Sequence, residues 1–479
     1  MDTIHFKFFS FKRSITINRK WLQFGIIASV ILLSTIISFW GSQRIFLLLL
    51  FLLGGIGVTL ALLRQPNLGF VLVLLGGMFV QFTGPSGLNA ATVLIALMFG
   101  LWVLDMFIVQ RSFQFVHSKT MLPIIVFLII SVLAFLIGQI PWFVFARQAP
   151  LDAQVGGFSV FIFSIGGLLL SAHLIKNVRW LKVIVWTFLG LSAIYILSRV
   201  IRLEEIYSLY NIGYTAQSMS WTWLVALALS QFLFNNKLVR HIKWILLALI
   251  VFTLYVALFT GYGWKSGWVP PLVAAVVLIG LRYRKLTVFV SPLLIIGVVI
   301  VVMDLIGSED YSWGTRVDAW LIILEISRVS PLLGMGFANY YWYTPLFPIR
   351  GCRVSFNSHS QFVDLIAQTG YIGLLAFIWL FFEFGRLAWN LTKQLPPGFP
   401  RAYAYGVFAG ICASMVAAFL GDWMLPFVYN VGLAGFRASI LPWIFIGGAI
   451  SLEQMLRRGE LKQDEVAITG NSLNRPALF

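Results

Sequence analysis

Residues 307–330, GSEDYSWGTRVDAWLIILEISRVS, open the one long polar interruption in an apolar chain, and that interruption runs on to Gly370. It carries Arg316, Asp318, Glu325, Arg328, Arg350, Arg353, His359 and Asp364, with Trp313, Trp320, Tyr340, Tyr341, Trp342 and Tyr343 among them. Before it, apolar runs alternate with short polar loops. Charge, aromatic rings and a histidine gathered between greasy runs mark a place for binding or chemistry, and the flanking runs form its scaffold.

The runs themselves set the class. The chain of 479 residues is 60% hydrophobic and 11% charged, against roughly 25% charged in soluble globular chains. This excludes a soluble enzyme and predicts an all-α, polytopic helical bundle in a lipid bilayer. About 20 apolar residues cross a bilayer as helix. That length predicts about fourteen spans, near 22–40, 45–63, 68–83, 91–109, 121–140, 157–175, 181–198, 219–234, 244–260, 268–281, 286–305, 370–385, 404–421 and 436–452. They make a single membrane domain over 1–479, with a large outer loop over 306–369 containing short helices and a tail over 453–479. The first run lacks a small-residue cleavage site and reads as a retained signal anchor. Two cysteines, Cys352 and Cys412, form no disulfide framework.

The net charge of +17 does not imply nucleic acid, because the cations punctuate alternate loops instead of forming one patch. With both termini in the cytoplasm, about 24 of the 34 Lys and Arg residues fall inside, as the positive-inside rule requires. The remaining ten include Lys265, Arg202, Arg316, Arg350 and Arg353. Guanidinium groups grip phosphate oxygens bidentately; any one of them equally serves as a snorkelling or ion-paired side chain. Lys265 lies at a helix start, where a cation is disfavoured unless an anion sits nearby. His359 is the one histidine this topology puts outside. A neutral imidazole there takes a proton from a hydroxyl, or simply caps a helix. Within the loop, Val317–Ser330 reads as an amphipathic helix with Val317, Trp320, Leu321, Leu324 and Ile326 on its apolar side, ended by Pro331. Ser358–Gln368 reads as a second short helix. No His/Cys/carboxylate set has metal-ligand spacing and no phosphate-binding Gly-rich loop is present, so neither a metal nor another cofactor is expected.

Two runs carry a resemblance. Arg316-Val-Asp-Ala-Trp320 followed by Ser330-Pro-Leu-Leu-Gly-Met-Gly-Phe-Ala-Asn339, and then Ser358-His-Ser-Gln-Phe-Val-Asp-Leu-Ile-Ala-Gln-Thr-Gly-Tyr-Ile-Gly-Leu-Leu375, resemble the O-antigen ligase and O-antigen polymerase family of bacterial membrane glycosyltransferases. The resemblance covers roughly residues 255–385. It implies a metal-independent, inverting transferase of surface polysaccharide biosynthesis in the bacterial cytoplasmic membrane. Such an enzyme moves glycan from undecaprenyl pyrophosphate to an acceptor hydroxyl on a glycan or lipid-glycan at the outer face. Carried over by position, His359 is the loop base or acceptor-positioning group and Arg316 the arginine that opens the loop. Lys265 stands where the family has arginine, and Gly334 and Gly336 form a tight turn. Lys265, Arg350, Arg353, Arg202 and Trp320 are then candidates for binding substrate. Lys265, Ser360 and Gln368 depart from the family's usual arginine, asparagine and glutamate. They leave a polymerase or another exopolysaccharide transferase as open as a ligase.

A multi-span transporter or flippase of lipid-linked oligosaccharide or a small anion is the alternative. It should place polar groups near the bilayer midplane and show repeated halves. The sequence shows neither.

Overall fold

A computed structural model describes residues 3–6, 15–18, 43–84, 87–112, 114–260, 264–285 and 311–461. The expected spans at 22–40 and 286–305, the side chain of Trp313 and the chain beyond Leu461 lie outside the described part. Contacts divide the chain into two compact units, 1–72 with 96–114, and 73–95 with 115–479. The first unit holds a two-stranded antiparallel ladder, Thr3–Phe6 with Ile15–Asn18, beside helices. The packing and the site described below lie in the second.

The described residues are dominated by helix, as the apolar runs predict. Among the described residues, eight helices are long and apolar enough to cross a membrane, and four more apolar helices are shorter. These twelve coincide with the remaining expected spans. The Gly432–Arg457 helix is the axis of the second unit, with 94% of its apolar window buried. It packs on Leu151–Leu174, where Ser171 Oγ donates to the Ile444 carbonyl at 2.9 Å. Ser218–Phe234, Lys265–Arg282 and Phe399–Leu420 meet through Ala226, Ala274 and Ala413. Small residues let such backbones approach closely where lipid removes the hydrophobic drive for helices to associate. On the outside, Phe259, Leu375 and Phe382 stay exposed, as lipid-facing positions should.

Arg437, in the axial helix, is fully buried. Its Nη1 donates to the Val80 carbonyl at 2.6 Å, and Nη2 donates to the Phe82 carbonyl at 2.8 Å and Thr83 Oγ at 3.1 Å. The chain leaves the Leu68–Phe79 helix there, so these carbonyls have no helical donors. A planar fork of donors meets that need.

The stretch expected to form a large outer loop, 306–369, differs from expectation in two respects. Its first helix runs Tyr311–Ile326 and continues as a 3-10 turn over Ser327–Val329. The buried face is Ala319, Ile323 and Ile326, while Leu321 is 63% exposed, so the predicted apolar face is rotated. Burial follows what the helix packs against, here Tyr340, Tyr343 and Val363. The second expected helix begins at Gln361 and belongs to one 34-residue element, Gln361–Gln394, broken at Gly370.

That break interlocks the two motif runs. Gly370 takes φ 71° and ψ −177°, a region open essentially only to glycine. An unbroken helix would bond the 371 and 372 amides to the 367 and 368 carbonyls. Here the Ala367 and Gln368 carbonyls accept instead from Met335 N at 2.9 Å and Gly336 N at 3.1 Å. Tyr371 N and Ile372 N donate to the Pro331 and Leu332 carbonyls at 2.8 and 3.2 Å. Four bonds to the 331–336 segment replace two helical ones. The crossing is so close that a Cβ on Gly370 would lie 2.1 Å from the Leu332 carbonyl oxygen, and one on Gly334, at φ 71°, would lie 2.4 Å from the Gln368 carbonyl carbon.

Candidate functional site

The crossing fixes the segment that carries His359. Asp364, in the first turn of the long helix, is 1% exposed. Its Oδ1 accepts from Tyr340 Oη at 2.5 Å and Ser358 Oγ at 2.7 Å. Trp320 Nε1 donates to the Ser358 carbonyl at 2.7 Å, tying the Tyr311–Ile326 helix to the same turn. With Ser358 held on both sides, His359 follows in a left-handed conformation, φ 49°. Its neighbours are buried while its own ring stays half-buried.

The ring faces a short loop, 421–431, that follows the Phe399–Leu420 helix. Asp422 is 1% exposed. Its Oδ2 accepts from the Phe427 amide at 2.7 Å, and its Oδ1 from Asn430 Nδ2 at 2.6 Å. The same Asn430 nitrogen lies 3.4 Å from His359 Nδ1, a long contact. Arg316 reaches the loop's start, donating from Nη1 to the Leu420 carbonyl at 3.2 Å. Three separated segments thus bring a guanidinium, an imidazole and a carboxylate to one end of the bundle.

Their electrostatics are mutual. Burial pushes the Asp422 carboxyl up, opposed by its hydrogen bonds from Phe427 and Asn430 and by Arg316. Burial lowers Arg316, opposed by Asp422. Burial first, and then the Arg316 charge, lowers His359 below the ordinary 6.5, which leaves the imidazole neutral at pH 7. Such a site can set a cation against an incoming anion. It can also offer a neutral ring to a hydroxyl and hold a carboxylate behind that ring.

The other sequence candidates are dispersed. Arg350 Nε is 2.7 Å from Asp318 Oδ2, so it is held by a carboxylate of the loop itself. Arg353 is exposed in the turn that follows. Arg202 is exposed at φ 59° after the Val178–Val200 helix. Lys265 begins its helix as expected and makes no ion pair among the described residues. Its neighbour Trp264 meets Trp423, beside Asp422, edge-on at 5.7 Å. Trp264 also lines a cavity of about 500 Å³ with Tyr195, Arg199, Tyr207, Thr260 and Trp268. Arg199 lies over the Tyr207 ring there, 5.0 Å from its centre. Asp422 and Asn430 were missed in the sequence; the signal was an acid directly after Gly421 in an otherwise apolar stretch. No three His, Cys, Asp or Glu side chains among the described residues converge as metal ligands.

No known protein family and no curated protein matches the chain.

Proposed function

We propose that the chain transfers glycan from an undecaprenyl-pyrophosphate donor to an acceptor hydroxyl at the outer face of the cytoplasmic membrane, as the resemblance to O-antigen ligases and polymerases implies. The observation that carries this reading is the convergence of Arg316, His359 and the Asn430–Asp422 pair at one end of the bundle. The acceptor oxygen bonds to the anomeric carbon as the bond to the pyrophosphate oxygen breaks, with inversion. The electron pair leaves with the pyrophosphate, and Arg316 offsets the charge that builds there. Neutral His359 orients the acceptor and takes its proton. Asn430 Nδ2 already donates to Asp422 and can offer its second N–H only to an unprotonated Nδ1, so that contact holds the neutral ring and breaks if the ring is protonated there. The aromatic cavity between Tyr195 and Trp268 borders the same loop through Trp264 and suits the sugar-bearing end of the donor. The pyrophosphate is an activated leaving group, so the chain needs no nucleotide-binding loop.

Purified protein in liposomes, given a lipid-pyrophosphate glycan and an acceptor, is expected to form the glycosidic product. His359→Ala and Arg316→Ala should each slow it about a hundredfold or more. Folded variants transferring at the wild-type rate overturn the site. A wild-type protein that moves the lipid-linked glycan across the bilayer without forming a product supports the flippase instead.

A further inference from the structure

The end of the bundle remote from His359 holds a second polar cavity, which the transfer chemistry does not use. The long helix leads away from the His359 turn to Glu383, Arg386 and Asn390, and the axial helix leads away from Asn430 to Glu453 and Arg457. Together with Lys119 these residues line a cavity of about 260 Å³. That is below the roughly 300–1,000 Å³ of sites enclosing a drug-sized ligand, so it takes a headgroup and not a whole lipid.

Its charges are layered. Glu383 and Glu453 lie deep, 12% and 14% exposed, whereas Arg386 and Arg457 stand at the rim, 41% and 50% exposed. Each arginine bonds one carboxylate, at 2.7 and 2.5 Å, and a guanidinium with five N–H donors has others to offer. Glu453 Oε2 is buried without a hydrogen-bond partner. A buried carboxylate oxygen left unpaired is costly, and an incoming N–H donor would satisfy it. A ligand matching this layering carries an ammonium at its tip and a phosphate behind it.

The surroundings indicate where such a ligand comes from. Leu375, Trp379 and Phe382 are exposed on the long helix, and their spacing continues to Arg386 on one helical face. Leu122, Ile125 and Ile129 are exposed on the Met121–Ile137 helix, which begins just past Lys119 and packs against the long helix. Two apolar stripes therefore run along neighbouring helices to the mouth of the cavity, a path for acyl chains.

We propose that this cavity binds the headgroup of a phosphatidylethanolamine molecule in the adjoining leaflet. The ammonium bonds Glu453 Oε2, and the phosphodiester lies between Lys119, Arg386 and Arg457. The site is independent of glycan transfer.

Native mass spectrometry on delipidated protein tests it, using phosphatidylethanolamine, phosphatidylglycerol and phosphatidylcholine with the same chains. Phosphatidylethanolamine should bind tightest, since a trimethylammonium has no N–H to give Glu453. Glu453→Gln, which keeps shape, should weaken phosphatidylethanolamine about tenfold and leave phosphatidylglycerol unchanged. Arg386→Gln with Arg457→Gln should weaken both. Helical circular dichroism and a single size-exclusion peak confirm that each variant is folded, and Glu453→Asp, which withdraws the carboxylate by one methylene, is the second probe should Glu453→Gln not fold. Equal binding of the three lipids, or unchanged phosphatidylethanolamine binding by either Glu453 variant, overturns the site. Displacement of the lipid by equimolar free phosphoethanolamine overturns the lipid as its source.

Discussion

Replacing Gly370 with alanine tests the crossing on which the candidate site is built. The residue's φ of 71° and ψ of −177° would cost a Cβ-bearing residue about 1–3 kcal/mol of backbone strain. The new Cβ would also lie 2.1 and 2.2 Å from the Leu332 carbonyl oxygen and carbon, backbone atoms that cannot swing aside. The 331–336 segment must then lift away. That weakens the bonds from Tyr371 N and Ile372 N, each worth about 0.5–1.5 kcal/mol. The expected loss is about 2–6 kcal/mol. Unfolding in mixed micelles with rising sodium dodecyl sulfate, followed by tryptophan fluorescence, measures it. Gly385 supplies the control: it lies in the same helix and a Cβ there meets nothing within 4 Å, so Gly385→Ala should be neutral or slightly stabilising. Equal midpoints for Gly370→Ala and Gly385→Ala would refute the interlocked break.

Two further outcomes follow from other parts of the molecule. The His359 ring is held below its ordinary 6.5 by burial and Arg316, so its neutral form persists as pH falls through 6.5 and charges only lower. The acid limb of kcat/KM should therefore lie below pH 6.5, and a limb at or above that value contradicts the buried, cation-flanked ring. Arg437→Met leaves the Val80 and Phe82 carbonyls without their donors and should cost about 2–6 kcal/mol in the same detergent titration; a change below about 0.5 kcal/mol would match an ordinary surface site and refute the clamp.

How far the sequence can be read depends on the range of the force involved. The twelve apolar helices were legible because long apolar runs are visible along the chain, whereas the short helices Glu204–Tyr207, Ile212–Thr215 and Asn339–Tyr343 carry no such run. Arg316, Trp320 and His359 share one polar interruption, and in the structure Trp320 bonds the carbonyl just before His359 while the Arg316 charge acts on its ring. Asp422 and Asn430 come from a short loop 63 and 71 positions beyond His359. They join the site only through the way the Phe399–Leu420 and Gly432–Arg457 helices bracket it. Sequence records charge but not distance, so the pairing of Arg350 with Asp318, thirty-two positions earlier, could not be read from it. The rotated face of the Tyr311–Ile326 helix has the same origin. Val317, Trp320, Leu321, Leu324 and Ile326 mark an apolar side, yet only Ile326 of these is buried, because which side is covered depends on where Tyr340 and Val363 arrive.

The guanidinium of Arg437 also bears on how the protein is made. Its acceptors at 80–83 emerge from the ribosome more than three hundred residues ahead of it, so those carbonyls must wait, solvated or provisionally paired, through most of translation. The helix that carries the arginine brings a charge for which this early segment supplies the acceptors. A nascent chain that has not yet reached Gly432 therefore lacks the donors that the 80–83 turn finally receives.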